Sequence, residues 1–117
     1  KRESTIAGYS GSLIDMENLA RKIRELGETC GMVFRVVDKN GKSFEEGYDL
    51  EEIPPLVIAL SKATGSRSST LRGGVPLTAV YLDGMRNECY LIVVGEFRED
   101  NAFRLLKHIA ESFEVRL

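Results

Sequence analysis

The sequence predicts an α+β fold: an antiparallel sheet of four to five strands flanked by helices, in the order α-ββ-α-ββ(β)-α. Three observations carry that prediction. Apolar residues recur at helical spacing in three separate segments, β-branched and aromatic runs lie between them, and turn residues join those runs as hairpins. A chain of 117 residues is suited to one core, so residues 12–117 are assigned to a single domain. Residues 1–11 show neither the helical nor the strand period, and are read as a flexible N-terminal arm.

The first helix is expected to start at Ser12, where Ser12-Leu13-Ile14-Asp15 resembles a capping box. Met16, Leu19, Ala20, Ile23 and Leu26 form its apolar stripe, and Gly27 closes it. A hairpin is predicted over 32–48. Its strands are Met32 to Val37 and Ser43 to Tyr48, and its Asn40-Gly41 turn is expected to be type I′, with positive φ at both central residues. The second helix is expected to begin near Ile53, because Pro54-Pro55 is tolerated only in a first turn. Leu56, Val57, Leu60, Ala63 and Thr64 form its stripe, and it ends at Thr64 or continues weakly to Leu71.

After Gly73-Gly74, a strand over Pro76–Leu82 and a second over Glu88–Phe97 form another hairpin. Leu91, Ile92, Val93 and Val94 lack alternation, as suits an interior strand covered on both faces. Asp100 is read as the cap of a last helix, whose stripe is Phe103, Leu106, Ile109, Ala110 and Phe113.

Composition narrows the function. With 43% hydrophobic and 29% charged residues, the chain falls in the globular range and outside that of disordered proteins. The longest apolar stretch, Tyr90–Val94, is far short of the roughly 20 residues that a membrane-spanning helix needs. A formal charge of −2, with basic and acidic residues alternating, offers no stripe to nucleic acid. Cys30 and Cys89 are too few for a disulfide framework or zinc site, and are read as buried or half-buried thiols in a reducing cytoplasm. No signal peptide is legible, and cytoplasmic localisation is expected.

No catalytic constellation is legible, so no catalytic residue, cofactor or metal is expected. His108 stands apart from any Cys, Ser or carboxylate grouping that would make it a base. Gly8-Tyr9-Ser10-Gly11 is one residue short of a nucleophile elbow, and no strand precedes it. Neither a phosphate loop nor a dinucleotide fingerprint is present. Asp38-Lys39-Asn40-Gly41 lacks the remaining ligands of a calcium loop, and a turn accounts for it. Glu45, Glu46, Glu51 and Glu52 form an acidic cluster, which reads as a solvated edge or a docking surface. The segment Thr64 to Gly74 combines two arginines, five hydroxyls and glycines, the groups that an anion site requires. Arg67, Ser68, Ser69 and Arg72 are its candidate ligands, although a polar connector has the same composition.

The helix Leu19 to Leu26 leading into Gly31-Met32-Val33-Phe34-Arg35-Val36-Val37-Asp38-Lys39-Asn40-Gly41-Lys42 resembles the roadblock (dynein light chain) family and its longin- and profilin-like relatives, in which a strand ends in Asp-x-x-Gly. Val80-Tyr81-Leu82-Asp83-Gly84, the Tyr90 to Gly95 strand and the closing helix are similar too. The likeness spans about residues 13–115 and is one of pattern. The family usually has three strands between its last two helices, and two are legible here. Either the Ser68 to Leu77 region supplies another, or the domain is of a sensor type such as GAF or PAS.

The resemblance implies a non-catalytic homodimer or heterodimer that scaffolds or regulates a small GTPase or a motor complex. Its interface would lie on the middle helix and the following strand, at Val57, Leu60, Thr78, Val80 and Tyr81, and Tyr81→Glu is expected to disrupt assembly. The alternative is a small-molecule or anion sensor domain from a larger regulatory protein.

Overall fold

A computed structural model of the chain describes the backbone of residues 5–99 and 101–115, and the side chains of residues 15–99 and 101–113. Three helices and four strands follow one another: α1 (Thr5–Thr29), β1 (Val33–Val37), α2 (Pro55–Thr64), β2 (Arg67–Arg72), β3 (Val75–Tyr81), β4 (Tyr90–Val94) and α3 (Ala102–Val115). The sheet order is β1-β4-β3-β2, with every neighbouring pair antiparallel. The fold is therefore α+β, a four-stranded antiparallel sheet between helices. One strand precedes α2, and three lie between α2 and α3.

α1 begins at Thr5, so the expected start at Ser12 falls inside it and residues 5–11 are helical. It also runs past Gly27. Its end is set by Gly31, at φ 72°. The Met32 amide donates to the Gly27 carbonyl at 2.8 Å and the Gly31 amide to Glu28 at 3.1 Å, a pairing that satisfies the last carbonyls of the helix. Gly27 has a different purpose. A Cβ there would lie 2.8 Å from Cγ of Phe34, so its missing side chain lets α1 approach β1.

α2 ends by the same device at Gly65, φ 67°, with Ser66 donating to Ser61 and Gly65 to Lys62. It starts at Pro55, two residues after the expected Ile53, and it stops at Thr64. The polar run beyond it forms β2 instead of a frayed helix.

The Asn40-Gly41 turn forms without the predicted geometry. Within it only Gly41 has positive φ, at 84°, while the Asp38 carboxylate accepts the amides of Asn40 (2.8 Å) and Lys42 (3.0 Å). That is a type I turn followed by a left-handed glycine. The type I′ geometry occurs at Gly73-Gly74, where φ is 61° and 84° and Arg72 pairs with Val75.

The expected second strand of the first hairpin shrinks to one bridge, Val37 to Ser43. Glu45 is drawn away from the ladder by Arg24 of α1, at 2.7 Å and 3.0 Å, and its amide donates to Ser43 Oγ. A buried charged pair therefore outweighs the continuation of a short ladder.

Two cores result from the alternation of side chains across the sheet. Phe34, Val36, Val80, Leu91 and Val93 meet α1 and α3, whereas Val37, Leu77, Ala79, Tyr90 and Ile92 meet Val57 and Ile58 of α2. β4 contributes to both, as its unbroken apolar run predicts. Burying each such Leu, Ile or Phe side chain stabilises the fold by about 1.5–3 kcal/mol. Cys89 is buried, but Cys30, expected to be at least half-buried, is exposed beyond the end of α1. The Asp100 cap lies outside the described residues.

Candidate functional site

The chain treats the two edges of its sheet differently. β1 is covered by residues 43–48: the Phe44 amide donates to Val36 at 3.0 Å, and Arg35 Nε donates to the Tyr48 carbonyl at 2.9 Å. Beyond β2 no further strand pairs among the described residues. The Tyr81 amide donates to Ser66, which fixes the phase of the β2–β3 ladder. Alternation then turns the backbone groups of Ser68, Thr70 and Arg72 toward β3 and those of Arg67, Ser69 and Leu71 outward. Such a row of outward groups is a template for another strand.

α2 packs on β2 and β3 beside this edge. Val57, Ile58 and Ser61 face the sheet. Leu56 and Leu60, one turn apart, are 66% and 43% exposed, and at the β2–β3 hairpin Leu71 and Val75 are 71% and 44% exposed. Large apolar side chains thus border an unpaired strand, and both features are relieved by the same event, association.

The residues expected to form an interface are placed unequally. Leu60 is exposed, but Val57, Thr78 and Val80 fill the core, and Tyr81 is half-buried with its ring 5.5 Å from that of Tyr90. β3 lies between β4 and β2, so its backbone is engaged on both sides. The strand with a free edge is β2, which propensity hid behind its serines.

The four expected anion ligands do not converge either. Register places Arg67 and Ser69 on the α1/α3 face of β2, and Ser68 and Arg72 on the α2 face. Ser69 Oγ is 2.7 Å from Thr78 Oγ1, so its hydroxyl ties two strands together.

Arg67 meets unforeseen company: its guanidinium lies over the Phe103 ring of α3, 4.7 Å from the centroid. There it lines a cavity of about 410 Å³ together with Arg104 and Lys107. Spacing of three residues on one helix was the available signal for that basic pair. Lys107 is engaged by Asp83 at 3.1 Å and, more distantly, by Glu111 at 4.0 Å. The Lys107 hydrogen bond, followed by that of Glu111, holds the Asp83 carboxyl below its ordinary range.

On the other face, Tyr90 donates to Glu88 at 2.5 Å, and Lys62 reaches the same carboxylate at 3.3 Å. The tyrosine bond is the larger cause of the lowered Glu88 pKa, while burial first and Glu88 second push the phenol of Tyr90 upward. His108 is exposed on α3. Among the described residues no three His, Cys, Asp or Glu side chains gather as a metal site. No described helix is long and apolar enough to cross a membrane.

Comparison with family models, curated proteins and solved structures gives no match.

Proposed function

We propose that the chain is a non-catalytic interaction module that self-associates through β2 and α2. The observation that carries this reading is the unpaired edge Arg67–Arg72 beside exposed Leu56 and Leu60. An edge strand is self-complementary about a twofold axis, so two copies of β2 can pair antiparallel while the leucines of the two α2 helices cover each other. The partner class implied by the roadblock resemblance, a small GTPase or a motor complex docking on the dimer, belongs to the same proposal.

Sedimentation equilibrium over a broad concentration range tests it. The expected result is a dimer for the parent chain and a folded monomer for Leu60→Glu. A parent chain that remains monomeric throughout, or a Leu60→Glu variant that dimerises as well as the parent, would overturn the reading. Pull-down of GTP-loaded and GDP-loaded small GTPases by the dimer then tests the partner.

A further inference from the structure

We propose that the cleft between β2 and α3 binds the phosphate of a small organic phosphomonoester. The case begins with charge. Three cationic groups, Arg67, Arg104 and Lys107, line this one cavity. Lys107 already has Asp83 and Glu111 as partners. Arg67 and Arg104 form no ion pair with any described residue, so among the described residues these two guanidinium groups have no carboxylate partner.

A phosphomonoester near neutral pH carries about −1.5 to −2, which balances them, whereas a single carboxylate would leave one guanidinium uncompensated. Sequence-distant elements bring these groups together. Arg67 belongs to an edge strand and Arg104 to a helix, so neither arginine reaches the other through local chain geometry, and only the packing of α3 on the sheet makes them neighbours.

The second part of the case is the make-up of the wall. The Arg67 guanidinium carbon lies over the Phe103 ring, 4.7 Å from its centroid, which holds at the cleft wall a fork of N–H donors of the kind that binds two phosphate oxygens at once. Ser66 and Asn101 add polar groups to the wall, and Val80 with the Phe103 ring adds an apolar portion. A cavity of about 410 Å³ lies within the roughly 300–1,000 Å³ typical of small-molecule sites, so it has room for more than the phosphate alone. The apolar wall would take the organic part.

Calorimetric titration of the intact chain with inorganic phosphate and with phenyl phosphate, against acetate and chloride at matched ionic strength, tests the proposal. Saturable binding of one phenyl phosphate per chain is expected, tighter than that of inorganic phosphate, with acetate and chloride giving no saturable signal. Arg67→Gln and Arg104→Gln should each weaken it by about tenfold or more. Arg72→Gln, on the opposite face of β2, should leave it unchanged. Phosphate binding no better than acetate, undiminished affinity in both cleft variants, or an equal loss in Arg72→Gln would each overturn it. Because the readout is heat of binding per chain, its failure is separate from a failure to dimerise, which sedimentation reads.

Discussion

Gly27 shows how one residue can be fixed by a neighbour far along the chain. In an exposed helix interior, alanine in place of glycine gains about 1 kcal/mol. Here the added Cβ would lie 2.8 Å from Phe34 Cγ and 3.0 Å from the Met32 carbonyl. Phe34 is fully buried and packs edge-to-face on Phe97, 5.8 Å between centroids, so it has little room to give. Overpacking typically costs about 1–3 kcal/mol. Gly27→Ala should therefore lower stability by about 1 kcal/mol net, read from the urea midpoint at unchanged slope; a raised midpoint would contradict the close approach.

At the same scale, the Tyr90–Glu88 bond links stability to pH. The folded pKa of Glu88 lies below its unfolded value, so its contribution is complete above the ordinary carboxylate range and is lost as pH falls through the folded pKa. Tyr90→Phe removes the principal cause of that depression. The drop in stability between about pH 6 and pH 3 should be smaller in the variant than in the parent chain. Equal drops would show that the hydroxyl does not hold the carboxylate.

Among the elements, the 43–48 segment is the least strand-like and the most dependent on side chains. Arg24 reaches Glu45 with two nitrogens, bonds Glu28 at 2.9 Å, and lies 4.0 Å over the Tyr48 ring. The Glu45 bond is the first cause of the raised Arg24 pKa, so the guanidinium stays charged. Glu45→Ala leaves that buried charge with Glu28 alone, and the segment loses its anchor to α1. Hydrogen exchange at the Phe44 amide, which donates to Val36, should accelerate in Glu45→Ala and hardly change in Glu46→Ala, since Glu46 is exposed. Identical protection in both variants would place the anchor elsewhere. The sheet, open at β2, would gain a second open edge at β1 if this strap came away.

For the whole molecule, substitutions separate the faces that hold the fold from those that remain free. Leu91→Asp buries an unpaired carboxylate between the sheet and the α1/α3 layer. It should cost about 3–5 kcal/mol, a large part of a domain's stability, and abolish cooperative unfolding. Tyr81→Glu also lowers stability, by a different route: the half-buried ring gives up its contact with Tyr90. Leu60→Glu and Leu71→Glu, on exposed positions, should leave the circular dichroism spectrum and the unfolding midpoint of the monomer nearly unchanged. An unfolded Leu60→Glu chain would show that α2 needs its outer face to fold.

The period of apolar residues made the three helices and the interior character of β4 legible, because those signals depend on neighbours within one turn or one strand. Turn chemistry was legible as position but not as type. The Asp38 carboxylate decided the turn at Asn40-Gly41 by capturing two amides, while the glycine pair at 73–74 carried the mirror-image geometry unnoticed. β2 was legible only as an alternative, the further strand that the Ser68 to Leu77 region could supply, because serine and arginine carry little strand propensity; its pairing with β3 supplies what propensity lacks. The sequence by itself determined the fold class, the presence of three helices and the end of α2 at Thr64. Only the tertiary structure decided that β2 rather than β3 is the free edge, that Val57, Thr78 and Val80 belong to the core, and that Arg67 shares a cleft with Arg104 and Lys107. The reason is physical: sheet order and the docking of α3 are fixed by contacts between residues far apart in the chain, and no local period encodes them.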